Sequence, residues 1–233
     1  MRNISQDELN KILKEHGLWL KRKGGKRANL RFTDLRYVNL SKTNLRYADL
    51  EYSNLINTDL TYADLSNTDL RCADLSNTDL SYADLRYADL RGADLEGANL
   101  RYANLSYANL KGANLKDVKT NIHTTSYNLA CPEKGSFIGY KKANGYLIEL
   151  LILEDSKRSS ATSVKCRANK VKVLEIENIK TGEKVKEINS DYDNNFIYKV
   201  GEIVTVSNFD DDRWNECSAG IHFFVNRDNA LKY

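Results

Sequence analysis

The stretch ADLRYADLRGADLEGANL, residues 83–100, repeats a unit of five residues without interruption. Outward from it in both directions, a Leu occupies every fifth position from Leu30 to Leu115, eighteen in all. The residue before each of these leucines is Asp or Asn, and the residue before that is small or β-branched. A period of five matches neither the α-helix nor the β-strand. The pattern therefore predicts a solenoid built from stacked repeats.

The unit A(D/N)LXX resembles that of the pentapeptide-repeat family, over residues 28–117. The resemblance implies a right-handed quadrilateral β-helix with four units per coil, in which the Leu and the small residue point inward. Eighteen units then make about four and a half coils, and a coil spacing of about 4.8 Å makes the rod roughly 22 Å long. Each buried Leu contributes about 1.5–3 kcal/mol, less than the cost of ordering five residues, so a unit is stable only when it is stacked on its neighbours.

Residues twenty positions apart should lie above one another in such a coil, about 4.8 Å apart. Two of the four outward columns carry tyrosines, a residue type enriched at protein interfaces, whereas the other two lose bulk toward their C-terminal ends. The candidate partner-binding residues are Tyr62, Tyr82, Tyr102, Tyr87, Tyr107, Arg86 and Arg101. An alternative stays open, in which the stacked rings only cover the backbone.

The charge of the repeats bears on a second function. Residues 28–117 carry ten Lys and Arg against thirteen Asp and Glu, a net charge of −3, and ten of the acids directly precede a Leu. Family members that inhibit DNA gyrase are regarded as mimics of duplex DNA, which requires a strongly acidic surface. Here Arg71 and Arg91 lie among the acids, and this disfavours DNA mimicry.

Residues 1–27 are predicted to form a helical cap followed by a basic linker. The sequence SQDELNKILKEHGLWL, residues 5–20, has the pattern of an amphipathic helix. Ser5 and Glu8 form a capping box at its start. Gly17 is expected to end the helix.

Residues 118–233 are predicted to form a separate α+β domain, because the repeat ends and short β patterns recur. Asn226 can N-cap a final short helix. The segments GSFIGYKK and RWNECSAGIHFFVNRDNALKY are similar to a domain appended to pentapeptide repeats in phage and bacterial proteins. This resemblance covers about residues 131–233 and implies an origin in a phage or mobile element, without an activity.

Two groups of residues in this domain could carry chemistry. Arg158, Lys165 and Arg167 belong to a basic segment and are candidates for binding an anion or nucleotide, although a solvated basic face is an alternative. Cys217 and His222 are close in sequence, but a metal site lacks a second pair of ligands and a nucleophile–base pair lacks an orienting group. No catalytic residue, metal or cofactor is predicted.

The whole chain points to a binding function. The net charge of +3 does not require nucleic acid, so direct nucleic-acid binding is not expected. The sequence lacks an apolar run long enough for a membrane helix and a secretory leader, and we expect a cytoplasmic protein, in the host cytoplasm if it is encoded by a phage. Homo-oligomerisation is left open.

The best-supported function is a non-enzymatic protein-interaction scaffold, of a phage type that inhibits or sequesters a host protein or defence system. One alternative is a gyrase-directed DNA mimic. Another is a C-terminal domain that binds a small ligand or nucleotide, or acts as an enzyme.

Overall fold

A computed structural model describes residues 1–127, 130–215 and 218–233. The chain divides into two compact units, residues 1–128 and 129–233. This division lies beyond the predicted boundary at 117/118. The physical reason is that backbone pairing outlasts the Leu pattern: Lys119 and Thr125 still form parallel bridges with Asn99 and Asn104.

The repeats of the first unit form coils that advance by about twenty residues. Parallel bridges join each corner to the next coil, as between Asn29 and Asp49. The N–H of Leu30 donates to the carbonyl oxygen of Asp49 at 2.7 Å, and the N–H of Asp49 donates to that of Ala28 at 3.0 Å. The inward leucines from Leu30 to Leu110 are at most 1% exposed. The coil is therefore held by backbone pairing between layers and by a continuous Leu core.

A helix precedes the coils, and a short strand pairs with the first of them. Strand β1 (Arg2–Asn3) is parallel to β2 (Thr33–Asp34). Helix α1 spans Gln6–Leu20, and the Ser5 side chain at its N-cap accepts a hydrogen bond from the Glu8 N–H.

The predicted helix end at Gly17 is wrong, because α1 continues to Leu20. The left-handed conformation that ends a helix first occurs at Arg22 (φ 54°), followed by Gly24 and Gly25. The N–H of Arg22 donates to the carbonyl oxygen of Trp19 at 3.0 Å, which closes the last turn.

The second unit is built on an antiparallel sheet of seven strands, with a separate two-stranded ribbon and a terminal helix. Its elements are β3 (Phe137–Ala143), β4 (Tyr146–Ile152), β5 (Arg158–Ser160), β6 (Lys165–Ala168), β7 (Lys170–Asn178), β8 (Glu187–Asn189), β9 (Ile197–Lys199), β10 (Ile203–Thr205), β11 (Ile221–Phe224) and α2 (Arg227–Lys232). The order in the sheet is β10-β7-β4-β3-β11-β6-β5, and β8 pairs with β9. The Asn226 side chain caps α2 as predicted.

One face of the sheet carries the main core of this unit. Ile148, Val173 and Phe223 are fully buried there. Gly139 is required beside Phe223, because a Cβ at this position would lie 2.6 Å from the ring. Among the described residues, no helix is long and apolar enough to cross a membrane.

Candidate functional site

The Asp or Asn before each Leu has a structural role that explains its strict recurrence. Its Oδ1 atom accepts a hydrogen bond from the backbone N–H two residues later, as Asp59 does from Thr61 at 2.9 Å. The same bond recurs around the coil, for example from Glu96 to Asp94 at 2.9 Å and from Ser106 to Asn104 at 3.0 Å. Asp and Asn serve equally because both present this oxygen. The hydrogen bonds of the turns therefore account for the acids that precede the leucines.

The second residue after each Leu has a left-handed backbone. Its φ is positive in every unit from Phe32 to Asp117. This conformation favours Gly and Asn and strains bulky side chains. The chain does place Gly or Asn at several of these positions. Yet it also places tyrosines there, among them Tyr62, Tyr82 and Tyr102.

The first aromatic column consists of stacked rings, which we call the tyrosine ladder: Tyr62, Tyr82, Tyr102 and His123. Its ring centroids are separated by 4.6, 4.5 and 5.2 Å, with interplanar angles of 10° or less. The tyrosines remain 43–55% exposed. Burial and the neighbouring rings raise the pKa of Tyr82, so its hydroxyl stays protonated at neutral pH. The ladder thus presents partly exposed aromatic side chains to solvent.

The adjoining column carries a shorter stack, formed by Tyr87 and Tyr107 with a ring distance of 5.0 Å. The two candidate arginines differ in their surroundings. Arg86 forms a bidentate ion pair with Asp84, with Nε 2.9 Å from Oδ1 and Nη2 2.6 Å from Oδ2. Within the described parts of the chain, Arg101 pairs with no carboxylate. Arg101 is therefore the better placed of the two to meet an outside group.

Sequence reasoning missed a third stack. Phe32 and Tyr52 lie 5.0 Å apart, at the N-terminal end of a column that otherwise loses bulk. It offers a matched comparison for the tyrosine ladder.

An ion-pair network lies beside this third stack. The carboxylates of Asp49, Glu51 and Asp69 lie within 4.8 Å of one another. Arg31 forms an ion pair with Glu51, and Arg71 lies 3.2 Å from Glu51 and 2.6 Å from Asp69. Arg27 also lies 3.8 Å from Asp49, so three guanidinium groups balance the three carboxylates.

Two of the three candidate anion-binding residues are structural. The Arg158 guanidinium donates to backbone carbonyl oxygens, including those of Gly135 at 2.6 Å and Glu154 at 2.7 Å. Arg167 is 2% exposed, and its guanidinium donates to backbone carbonyl oxygens of Asp210 and Asp212. These donors fasten loops to the sheet, so both side chains are poorly placed to bind an external anion.

Lys165 and His222 instead line a cavity of about 600 Å³. The Lys165 ammonium lies 3.2 Å from the hydroxyl oxygen of Tyr233. His222 Nε2 lies 3.1 Å from the carbonyl oxygen of Ser218, so this nitrogen carries the proton and donates. Burial, helped by Lys165 and Lys141, lowers the pKa of His222 to about 4. The imidazole is therefore neutral at physiological pH.

The cysteines give no metal site among the described residues of this unit. Cys131 and Cys166 are both buried and lie against each other. The hydrogen bond with Cys131 and burial raise the pKa of the Cys166 thiol, which therefore stays protonated. Cys217 lies outside the described residues, so the structure does not test its pairing with His222, which the sequence does not favour.

Two family models match the chain. Residues 26–117 match pentapeptide repeats in 8 copies, and residues 127–230 match a family of unknown function, DUF5758. No curated protein matches.

Several solved structures of pentapeptide repeat proteins are similar to part of this chain. HetL, involved in heterocyst differentiation regulation in the cyanobacterium Nostoc sp. strain PCC 7120, is 40% identical over 40% of this chain and 43% of its own, with a TM-score of 0.26. Rfr23 from the cyanobacterium Cyanothece 51142 is 28% identical over 49% of this chain and 96% of its own, with a TM-score of 0.23. QnrB1, a plasmid-mediated fluoroquinolone resistance protein, is 18% identical over 44% of this chain and 71% of its own, with a TM-score of 0.27. The chain thus spans less than half the length of HetL.

The Leu register, the coil pairing and the family match agree on the first unit, which has the right-handed β-helix fold of its family. The chain therefore belongs to the pentapeptide-repeat proteins, with its repeats at residues 26–117, and also contains a DUF5758 domain at residues 127–230.

Proposed function

We propose that the protein is a non-enzymatic scaffold whose tyrosine ladder docks on a partner protein. The observation that carries this proposal is the placement of the rings. A non-Gly residue in a left-handed conformation costs about 1 kcal/mol or more, whereas one stacked aromatic pair returns about 0.5–1.5 kcal/mol. The two terms roughly cancel, so stability alone does not account for tyrosines where the chain elsewhere uses Gly or Asn.

The geometry of the tyrosine ladder suits protein recognition. Stacking fixes the rings in advance, so little side-chain entropy is lost when a partner covers them. Tyr and Arg are the residue types that most often anchor interfaces, and Arg101 directly precedes Tyr102. Tyr87 and Tyr107 extend the same surface around the edge of the rod.

The cellular role that we propose is of a phage type: the protein inhibits or sequesters a host protein or defence system in the host cytoplasm. The support is the resemblance of the second unit to domains appended to pentapeptide repeats in phage and bacterial proteins. DNA mimicry is less well supported, because the acids that precede the leucines accept hydrogen bonds in the turns. Several arginines also form ion pairs with these acids, as Arg71 does with Asp69.

We also propose that α1 caps a rod of about four and a half coils. The His16 side chain accepts a hydrogen bond from the N–H of Ala28 at 3.1 Å, at the start of the first coil. Trp19 packs edge-on against Tyr47, with ring centroids 6.4 Å apart. A helix with these contacts keeps water from the first Leu layer.

The test replaces the rings by Asn, which occupies the same left-handed position at Asn57 and Asn77. The triple variant Tyr62→Asn, Tyr82→Asn, Tyr102→Asn is compared with wild type as bait in a host lysate. The matched control is Phe32→Asn, Tyr52→Asn, which removes a stacked pair from another column. We expect a protein captured by wild type and control to be lost from the triple variant. Equal capture by the folded triple variant would exclude the ladder as the docking surface.

A further inference from the structure

Lys141 occupies an unusual position in the second unit. It lies in β3, on the same face of the strand as Phe137 and Ala143. Both of these residues pack into the main core. Its cross-strand partner is Ile148, which is fully buried. The sheet therefore places an ammonium group on a side of the strand that is otherwise apolar.

The ammonium of Lys141 is poorly compensated. Its Nζ atom lies 5.9 Å from the centroid of the Tyr198 ring. Across residues 130–215 and 218–233, no hydrogen bond or ion pair reaches it. Burial lowers the pKa of Lys141, against a weaker opposing effect of Asp191. A half-buried charge of this kind is costly unless something pairs with it.

The cavity of about 600 Å³ opens beside this lysine. In the described part of the chain, β11 pairs with β3 at one position, where Phe224 lies opposite Tyr140. Beyond this pair, residues of both strands line the cavity. A volume of this size falls in the range of small-molecule sites. The walls combine aromatic rings, including Phe196 and Tyr198, with the lysines at 141, 142 and 165.

The charge of the cavity favours an anion. Its lining includes two carboxylates, of which Asp191 already accepts a hydrogen bond from the Asn144 N–H at 2.6 Å. His222 adds no charge, and with its Nε2 proton bound to a carbonyl oxygen its Nδ1 atom remains an acceptor. The cavity therefore offers ammonium groups, one neutral acceptor and flat apolar walls.

We propose that this cavity binds a small organic anion with a flat apolar body, its acidic group pairing with Lys141 and Lys165. This site is independent of the tyrosine ladder and goes beyond the scaffold function. The anionic group can be a carboxylate, a sulfonate or a phosphate, since all three accept hydrogen bonds from ammonium groups. The aromatic side chains receive the flat body of the ligand.

The test uses the full chain and the fluorescent probe 8-anilinonaphthalene-1-sulfonate, an aromatic sulfonate. Binding to wild type is compared with Lys141→Met and Lys165→Met, which keep length and apolar volume but remove one charge each. The control is Lys186→Met, an exposed lysine outside the cavity. We expect saturable binding that weakens at least tenfold in each cavity variant and is unchanged in the control.

A second arm uses N-phenyl-1-naphthylamine, the same ring system without the sulfonate. Its binding should not distinguish wild type from the cavity variants, because it has no anionic group. Benzoate and AMP then compete with the sulfonate probe, to distinguish a carboxylate from a phosphate ligand. Melting curves show whether each variant is folded. If Lys141→Met does not fold, Lys165→Met alone still tests the proposal. Equal affinity of wild type and both folded cavity variants for the sulfonate probe would overturn the proposal.

Discussion

Replacing Asp59 tests whether the acids of the repeats serve the turns or the surface charge. The Asp59 Oδ1 atom accepts the Thr61 N–H at 2.9 Å. Above and below it lie Asn39 and Asp79, its bridge partners in the neighbouring coils. Asp59→Asn keeps the acceptor and removes the charge, whereas Asp59→Ala removes both.

The two variants should differ in stability. Loss of a hydrogen bond of this kind costs about 1 kcal/mol, so we expect Asp59→Ala to lower the free energy of unfolding by that amount and the melting temperature by roughly 3–5 °C. Asp59→Asn should lie within about 0.5 kcal/mol of wild type, since it also relieves repulsion from Asp79. Urea unfolding followed by circular dichroism measures both. Equal losses in the two variants would refute the turn explanation and return weight to a role for the negative charge.

Four further outcomes follow from the same structure. Leu75 is fully buried, so Leu75→Lys should abolish the cooperative unfolding transition of the rod. Leu75→Met should lower the free energy of unfolding by less than about 1.5 kcal/mol. An unchanged melting curve for the lysine variant would contradict the β-helix. His222 has a folded pKa of about 4 against an ordinary 6.5, so the free energy of unfolding should fall by up to about 3 kcal/mol as the pH drops from 6.5 to 4. Urea unfolding at these two pH values should show a smaller decrease for His222→Gln. An equal decrease in wild type and variant would show that His222 does not titrate in this range. Arg167→Lys should destabilise the second unit by about 1–3 kcal/mol, because a single ammonium cannot supply the donors of the buried guanidinium. A melting temperature equal to that of wild type would show that the hydrogen bonds of Arg167 do not stabilise this unit. The purified protein should leave gyrase supercoiling unaffected at micromolar concentration, and clear inhibition would revive DNA mimicry.

The coil could be predicted from the sequence because one residue type carries its signal. Each Leu fills the same inward position, so the period is visible without knowledge of any contact. The left-handed outward position was also detectable, since Gly92, Gly97 and Asn57 share it with the tyrosines. The pentapeptide pattern stops before the pairing does, because backbone bonds at Lys119 and Thr125 need no particular side chain.

The second unit was harder to predict, because its decisive contacts are distant in sequence. Strands β5 and β6 are short and lie in a basic, serine-rich segment that shows no clear alternation. The role of Arg167 depends on carbonyl groups more than forty residues away, at Asp210 and Asp212. Lys141 was overlooked because the run GYKK does not reveal which of two adjacent lysines faces the core.

The left-handed position has a consequence for how such a surface can change over time. Its side chain lies outside the coil and takes no part in the backbone pairing between layers, and the position holds Gly, Asn or Tyr, as at Gly92, Asn77 and Tyr82. A mutation at this position therefore alters the exterior and the contacts along one column, such as the stack of Tyr62 and Tyr82, and leaves the Leu core in place. Recognition can then diverge under selection at these exterior positions, at a smaller cost to stability than a change in the Leu core would carry.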